Sequence, residues 1–382
     1  MSEPSSSKRR WALLGRLDRY VLVQFLGAYI VAILMIVGLY VVIDVATNLD
    51  DYLRKGADGE SNIGEVGRYY LLQIPFLYLE VAPFVTLIAG MYSVSRLQKS
   101  REVIASLAAG VSARRLLLPI FASSALLAGF MFFLRETACH EIGFERDMLL
   151  VQLDEGAEEV VLPNVRLKDA SRETITLGRF YPRREPAAFE SLLALRLEEG
   201  GIWRTYEAAS GTWQLESDPV SGLEDEFWEL RGGVQEEITD SSKNSVPLVR
   251  FDEGLEFSPK DAWIAWKGRT DPTSLSFRQA ARLSERDPDN VQYRTLQFYL
   301  LSYPLANLVL LLCGLPFLLQ YERGKGTEGM VAGFLLCVFY FGTDFVTLNL
   351  GMQAQLSPLL ATWLAPVFFG SLGLVLFSGT RS

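Results

Sequence analysis

The chain has 382 residues, of which 49% are hydrophobic and 21% charged, and its formal net charge is -9. An acidic chain without a basic stripe has no groups with which to replace the counterions of phosphates, which argues against a nucleic-acid partner. Its mean hydropathy of +0.19 is a modest average that mixes two unlike kinds of sequence.

Apolar segments long enough for membrane spans form two groups of three, since a bilayer core takes about 20 residues of helix. In chain order they are 20–43, 66–94, 116–134, 296–319, 330–350 and 356–377. The first follows a basic start, as in a signal peptide, but it is longer than a signal-peptide core and has no small-residue cleavage site. We therefore interpret it as a retained span. The predicted domains are 1–135, 136–290 and 291–382.

Basic residues cluster between particular spans and indicate the orientation. The clusters are Lys8, Arg9, Arg10, Arg16 and Arg19 before span one, Arg96, Lys99, Arg101, Arg114 and Arg115 between spans two and three, Arg323 and Lys325 between spans four and five, and Arg381 in the tail. The positive-inside rule places these regions in the cytoplasm. We expect a multi-pass protein of the cell membrane with both termini inside and the 136–290 insert outside.

The insert has the pattern of an all-β, jelly-roll-like domain. Short β-rich stretches recur at 160–167, 174–180, 192–197, 203–208, 211–215, 227–230 and 248–251, with turns expected at Asp218-Pro219 and Gly232-Gly233. Core packing is the favoured role of Trp203, Trp213 and Trp228 over ligand stacking. The pattern becomes helical at 274–283 before the chain returns to the membrane. Cys139 alone lies near the insert, so no disulfide framework is expected there.

Catalytic signatures are sparse. His140 is the only histidine, which excludes a His-rich metal centre, and the chain has no GxxxxGK[ST] or GxGxxG motif. Glu80 and Asp344 fall within predicted spans, where an ionisable side chain is a functional candidate by default. Each has an equally weighted structural explanation, a hydrogen bond to a neighbouring helix. A membrane enzyme that uses the two acids remains an alternative.

The cytoplasmic segment 100–110 has the pattern of a short amphipathic helix. Ser100 is a plausible N-cap and Gly110 a stop, while Val103, Ile104, Leu107 and Ala108 share one face at helical spacing. Such a helix lies on the membrane or docks into a partner's groove. Glu102 favours a protein contact.

This segment also carries a family resemblance. Its SREV and AAGVS ends, at 100–103 and 108–112, resemble the SEL…AAGVS signature of the LptF/LptG permeases of the lipopolysaccharide exporter. Further similar segments, closer to LptG than to LptF in the first half of the chain, are 17–20 (LDRY), 43–51, 75–83, 228–233 (WELRGG), 303–306 (YPLA), 323–324 and 361–366 (ATWLAP). The resemblance covers essentially the whole chain.

The resemblance implies a non-catalytic half-transporter without a cofactor of its own. Its implied partners are an LptF-like permease subunit, an LptB-like ATPase dimer that binds the ATP, LptC-like and LptA-like periplasmic bridge proteins, and lipopolysaccharide or a related lipid. The helix at 100–110 is then the coupling helix, in which Arg101, Glu102, Val103, Ala109 and Gly110 contact the ATPase. The insert is periplasmic, and the membrane is the inner membrane.

Lipid phosphates call for cations near the outer rim, where Arg54, Lys55, Arg68 and Arg135 are the candidates, with interfacial anchoring as the alternative role. Gly329 and Gly333 form a GxxxG motif that permits close approach of another helix. The chain departs from the family in having no basic residue at 20–43 and no proline in the expected loop at 135–154. A membrane-anchored assembly or sensor protein, whose insert binds an envelope partner, is the alternative function.

Overall fold

A computed structural model describes residues 15–54, 63–155, 159–168, 174–197, 203–217, 224–239, 242–250, 257–320 and 326–379. The helices in this part of the chain are α1 Arg16–Arg54, α2 Ile63–Lys99, α3 Glu102–Ala108, α4 Ala113–Glu141, α5 Gly143–Glu155, α6 Pro259–Thr270, α7 Phe277–Arg286, α8 Val291–Ser302, α9 Ala306–Gln320, α10 Gly326–Met352 and α11 Pro358–Ser378. The strands are β1 Leu162–Lys168, β2 Thr174–Tyr181, β3 Ala188–Leu197, β4 Trp203–Ser217, β5 Glu224–Thr239 and β6 Ser242–Arg250.

The prediction of six spans, three on each side of the insert, is confirmed. Six stretches of helix are long and apolar enough to cross a membrane, formed by α1, α2, α4, α8 with α9, α10 and α11. Several extend well beyond the predicted apolar core. With 39 residues, α1 is about 58 Å long, whereas the hydrocarbon core measures about 30 Å.

The fourth span is broken near its middle. A 3-10 turn, Tyr303–Leu305, separates α8 from α9 and contains Pro304. The side-chain amide of Asn307 donates to the Pro304 carbonyl at 2.9 Å, and the Thr86 hydroxyl of α2 donates to Asn307 Oδ1 at 2.7 Å. A side chain thus provides a hydrogen bond to a backbone carbonyl next to the break. Such bonds are needed in hydrocarbon, where no water is present to satisfy the backbone. The bond from Thr86 also joins spans two and four.

Small residues allow close packing among the spans of this one chain. A Cβ added at Gly333 would lie 2.5 Å from Met91 Cε and 3.9 Å from the Cα of Gly314, and one at Gly329 would lie 3.3 Å from the Phe317 carbonyl. The GxxxG motif therefore brings α10 against α9 and α2. The close approach expected of it is found within the chain.

Gly351 provides a test of this packing. Substitution with alanine should lower stability by about 1–3 kcal/mol, because the new Cβ would lie 2.4 Å from Ala361 Cβ and 2.9 Å from Thr295 Cγ2. Gly342, on the same helix, has no neighbouring atom within 4 Å of the equivalent position, so Gly342→Ala should be neutral or slightly stabilising. Thermal unfolding of both variants in detergent checks the difference. Equal melting temperatures would contradict close contact at Gly351.

The insert contains one antiparallel sheet of six strands, in the order β1-β2-β3-β4-β5-β6. The prediction of an inserted all-β domain is confirmed. Each strand pairs with its neighbour in sequence, so the described strands form a meander rather than the crossed-over order of Greek-key and jelly-roll sheets. The stretches predicted at 203–208 and 211–215 are one continuous strand, β4.

Aromatic side chains form the centre of the insert's core. Trp228 is 3% exposed, its ring stacks on Phe257 at 5.2 Å, and its indole N–H donates to the Phe257 carbonyl at 2.8 Å. Phe189 lies 4.9 Å from the Trp228 ring and Trp213 lies 5.0 Å from it. The structure thus supports core packing for Trp213 and Trp228. The side chain of Trp203 lies outside the described residues.

The turn expected at Gly232-Gly233 is wrong, because both residues lie inside β5. Gly232 has φ of 63°, and the pairing of β5 with β6 shifts register between Glu229 and Gly233. A glycine with positive φ is typical of a bulge as well as of a turn. The pair therefore bends a long strand instead of ending it. The turn expected at Asp218-Pro219 lies outside the described residues.

The segment 135–154, expected to be a loop, is helical. α4 continues to Glu141, and α5 follows after one residue. α6 was also not predicted, although Ser258 and Asp261 form a capping box with Pro259 at the first helical position, which is a readable start signal. The helical pattern predicted at 274–283 corresponds to α7.

An exposed ion pair joins the approach to β1 with the β2–β3 connection. Arg184 Nη2 donates to Glu159 Oε2 at 2.8 Å. The Arg184 hydrogen bond lowers the pKa of the Glu159 carboxyl. A lowered pKa contributes stability above the ordinary carboxyl range, and that stability is lost as the pH falls through the lowered value. Exposure keeps the contribution small.

Candidate functional site

The segment predicted as a coupling helix forms α3, a helix of seven residues. Its start differs from the prediction, because the Ser100 hydroxyl donates to the Arg96 carbonyl at 3.0 Å and to the Leu97 carbonyl at 3.2 Å. Ser100 therefore ends α2 instead of capping α3. Arg101 has φ of 61° and Gly110 φ of 83°, so a left-handed residue lies at each end of the helix. These two residues turn the chain out of α2 and on towards α4.

One side of α3 packs against the spans, and another side is exposed. Val103 is 7% exposed and belongs to the membrane core, whereas Ile104 is 45% exposed. Ala108, Ala109 and Gly110 are also exposed. The apolar face predicted from spacing is thus divided between an internal contact and the surface. An apolar side chain and a small-residue end remain accessible for a partner.

Glu102 is held in place by the first span. The hydroxyl of Tyr20 donates to Glu102 Oε1 at 3.1 Å. Because Tyr20 lies one turn into α1, the bond ties the start of the first span to the start of α3. Sequence reasoning missed Tyr20 as a member of this site. The residues are 82 positions apart, and no spacing rule joins them.

Ends of other spans meet near α3. Asp18 Oδ2 accepts from Arg115 Nη2 at 2.8 Å and from the Gly15 amide at 3.1 Å. Asp18 is 5% exposed. Its buried carboxylate therefore joins the starts of α1 and α4. Arg114 Nη2 donates to the Ser378 carbonyl of α11 at 3.2 Å. Because these bonds join α1, α4 and α11 close to α3, a movement of α3 would also displace these three spans.

The candidate lipid-binding cations have different surroundings. Arg135 is 6% exposed, donates to the Thr273 carbonyl at 2.6 Å and lies 5.9 Å from the Tyr303 ring centre, so it is engaged within the protein. Arg68 forms an ion pair with Glu145, but its side chain is 63% exposed. The side chain of Arg54 and all of Lys55 lie outside the described residues.

The two intramembrane acids lie in unlike environments. Glu80 is exposed on α2, and its backbone carbonyl accepts the Tyr303 hydroxyl at 2.7 Å. Asp344 is 6% exposed on α10. Among the described residues, no hydrogen bond or ion pair joins the two carboxylates.

A buried group of charges, not predicted from the sequence, lies where the spans meet the insert. Asp147 of α5 is its centre. Oδ1 lies 2.9 Å from Arg146 Nη1, and Oδ2 lies 3.0 Å from Lys267 Nζ and accepts the Trp263 indole N–H at 3.2 Å. Arg146 Nε donates to Gln73 Oε1 of α2 at 2.7 Å. We call Gln73, Arg146, Asp147 and Lys267 the charged junction.

Burial makes this junction energetically important. Lys267 is 1% exposed as a side chain and Arg146 9%. Both cations also approach the Phe76 ring of α2, at 5.5 Å for Lys267 and 4.7 Å for Arg146. A buried charge is stabilised by an ion pair and by hydrogen bonds, and among the described residues Lys267 Nζ has the ion pair with Asp147 but no hydrogen bond. The junction thereby fastens α6, which follows the sheet, to α5 and to span two.

Comparison with known protein families covers nearly the whole chain. A search of the curated proteins finds no match to the chain. The model of one protein family, described as lipopolysaccharide export system permease LptF/LptG, matches residues 19–378. The match takes in the six spans, α3, the inserted sheet and the charged junction. The chain belongs to the LptF/LptG family of lipopolysaccharide export permeases.

Proposed function

We propose that the chain is the permease subunit of an ABC-type exporter, working with a separate ATPase dimer and a second, LptF-like permease subunit. Its cargo is lipopolysaccharide or a related lipid, taken from the outer leaflet of the inner membrane. The observation that carries the proposal is the family match over residues 19–378. No catalytic role is assigned to the chain, and ATP is bound by the partner.

Charge distribution supports a cytoplasmic position for α3. Basic residues flank the helix at the ends of α2 and α4, namely Arg96, Lys99, Arg101, Arg114 and Arg115. By the positive-inside rule this end of the bundle faces the cytoplasm, where an ATPase has access to ATP. The accessible surface of α3 can then contact the ATPase on the cytoplasmic side of the membrane. The insert lies on the opposite, periplasmic side.

The sheet of the insert supports a role in accepting lipid or passing it on. On β3, Leu193 and Leu195 are 41% and 43% exposed, and on β6, Val246 and Val249 are 56% and 69% exposed. Leu193 and Leu195 are two residues apart on β3 and so share one face of the sheet, and contiguous exposed apolar surfaces mark contacts with partners or ligands. Acyl chains, or the next member of an LptC-like and LptA-like bridge, are the contacts we propose.

Reconstitution tests the export function. Proteoliposomes that contain the chain, its partner subunit, the ATPase dimer and lipopolysaccharide should release lipid to a purified periplasmic acceptor when ATP is added. A non-hydrolysable ATP analogue should give no release, and mass spectrometry identifies the lipid transferred. The matched control omits this chain and keeps the other components. Release that is independent of ATP, or equal without the chain, would overturn the proposal.

A further inference from the structure

A basic cavity lies where the insert meets the fourth span, outside the coupling helix and the charged junction. It has a volume of about 200 Å³ and lies between β1, β2, α6, α7 and the start of α8. Among the residues that line the cavity, Asn290 caps α8 and Tyr293 lies in the first turn of the fourth span, which begins at Val291. The cavity therefore lies beside the end of the fourth span that joins the insert, where lipid headgroups are expected.

The lining of this cavity is strongly cationic in a chain of net charge -9. Five basic and two acidic residues line it, which leaves three positive charges in excess. Two cations are neutralised locally. Lys168 Nζ lies 2.7 Å from Asp287 Oδ1, and Arg286 Nη2 lies 2.9 Å from Asp261 Oδ2.

The other three cations are Arg166, Arg269 and Arg282. Within the described part of the chain, none of them has an acidic partner or a hydrogen-bond acceptor. Asn290 adds a further donor, because its side-chain oxygen caps α8 by accepting from the Gln292 amide at 3.0 Å and its amide nitrogen remains. The groups left over for a ligand are thus almost all donors. Such a set suits an anion with several oxygen acceptors.

The positive-inside rule does not account for arginines at this place, because it concerns short cytoplasmic loops and this cavity belongs to the large insert. Guanidinium groups match the geometry of phosphate oxygens with paired N–H donors. A phosphate has five heavy atoms and fits a cavity of about 200 Å³, since a single water takes about 30 Å³ of liquid.

We propose that this cavity binds the phosphate group of a membrane lipid through Arg166, Arg269 and Arg282. The site would hold a headgroup between the first hairpin of the insert and the two helices that follow the sheet. The proposed orientation is needed for this proposal only to decide which leaflet of the membrane supplies the lipid. Lipid binding here fixes the insert against the membrane surface whether or not the bound lipid is exported.

Lipid retention and phosphate protection test the site in two arms. The full chain is placed in phosphatidylcholine nanodiscs that contain a small fraction of phosphatidic acid, and retained phosphatidic acid is measured by native mass spectrometry. In detergent without added lipid, inorganic phosphate is titrated and the melting temperature followed. The variant is Arg269→Gln with Arg282→Gln. The control is Arg278→Gln, on α7 but outside the cavity, with an 86% exposed side chain.

We expect the double variant to lose about tenfold in affinity for phosphatidic acid, with less than a twofold change for the control. Phosphate protection of the wild type without retention of phosphatidic acid would overturn the lipid as the source of the phosphate. Equal losses in the double variant and the control would overturn the site altogether. If the double variant fails to fold, Arg282→Gln alone carries the test, with an expected loss of about threefold. Neither arm needs ATP or an ATPase, so failure here is distinct from failure of the export function.

Discussion

Substituting Asp147 with alanine should lower the stability of the chain by about 3–5 kcal/mol. The carboxylate lies 2.9 Å from Arg146 and 3.0 Å from Lys267, so its loss leaves two buried cations without their shared counter-ion. Desolvation of the unpaired charges, more than the lost attraction, accounts for the effect. Denaturant or thermal unfolding in detergent measures it.

Asp271 offers a matched control for this substitution. It lies 3.5 Å from Arg146 Nη1 but is 43% exposed as a side chain, so Asp271→Ala should change stability by less than about 1 kcal/mol. Replacing Asp147 and Lys267 together with leucine and methionine should recover part of the loss, because buried ion pairs are often replaceable by apolar residues of similar size. Equal effects of the two single alanine substitutions would contradict the central role of Asp147.

The junction gives α2 a second function beyond spanning the membrane. This helix has 37 residues, and its length of about 55 Å reaches from α3 at one end to the charged junction near the other. Gln73 and Phe76 contact the junction, while Pro75 and Pro83 lie nearby inside the helix. Proline removes backbone bonds and permits bending. One continuous helix thus connects α3 with α6, which follows the sheet.

The sequence predicts the spans well because their signal is one of length. An apolar run of about 20 residues has few alternative structures. Its hydropathy can be recognised from the segment alone, without knowing which other segments it contacts. Period-2 patterns likewise located β1 to β6, since alternation is local to each strand. Both signals are properties of a single segment.

Features that depend on tertiary contacts were missed. The sequence does not predict α5 as a helix, because its polar side chains, Arg146 and Asp147 among them, are stabilised by residues 73 to 125 positions away in sequence. Ser100 was misread as an N-cap because the same hydroxyl is equally able to close the preceding helix. Tyr20 reaches Glu102 of α3 through a bond over 82 positions. No pattern along one segment contains these pairings.

Reversing the charge of Glu102 should weaken association with the ATPase by about 30-fold or more, since a disrupted charged contact costs about 2–5 kcal/mol. Glu102 begins α3 beside the exposed Ile104, and its position is fixed by the Tyr20 hydroxyl. Lysine at this position would repel any basic group that pairs with Glu102, and it cannot accept the bond from the Tyr20 hydroxyl as the carboxylate does. Copurification of the ATPase with the tagged permease, quantified against the wild type, measures the loss.

Two further variants separate contact from positioning. Tyr20→Phe removes only the hydroxyl that bonds Glu102 at 3.1 Å, and we expect a loss of about threefold in association, the effect of one modest hydrogen bond. Glu141→Lys makes the same charge change at an exposed residue at the far end of α4, and it should leave association unchanged. Full retention of the ATPase by the Glu102→Lys protein would show that coupling lies elsewhere. A loss for Glu102→Lys equal to that for Glu141→Lys would reduce the effect to net charge, because both substitutions change the net charge of the chain by the same amount.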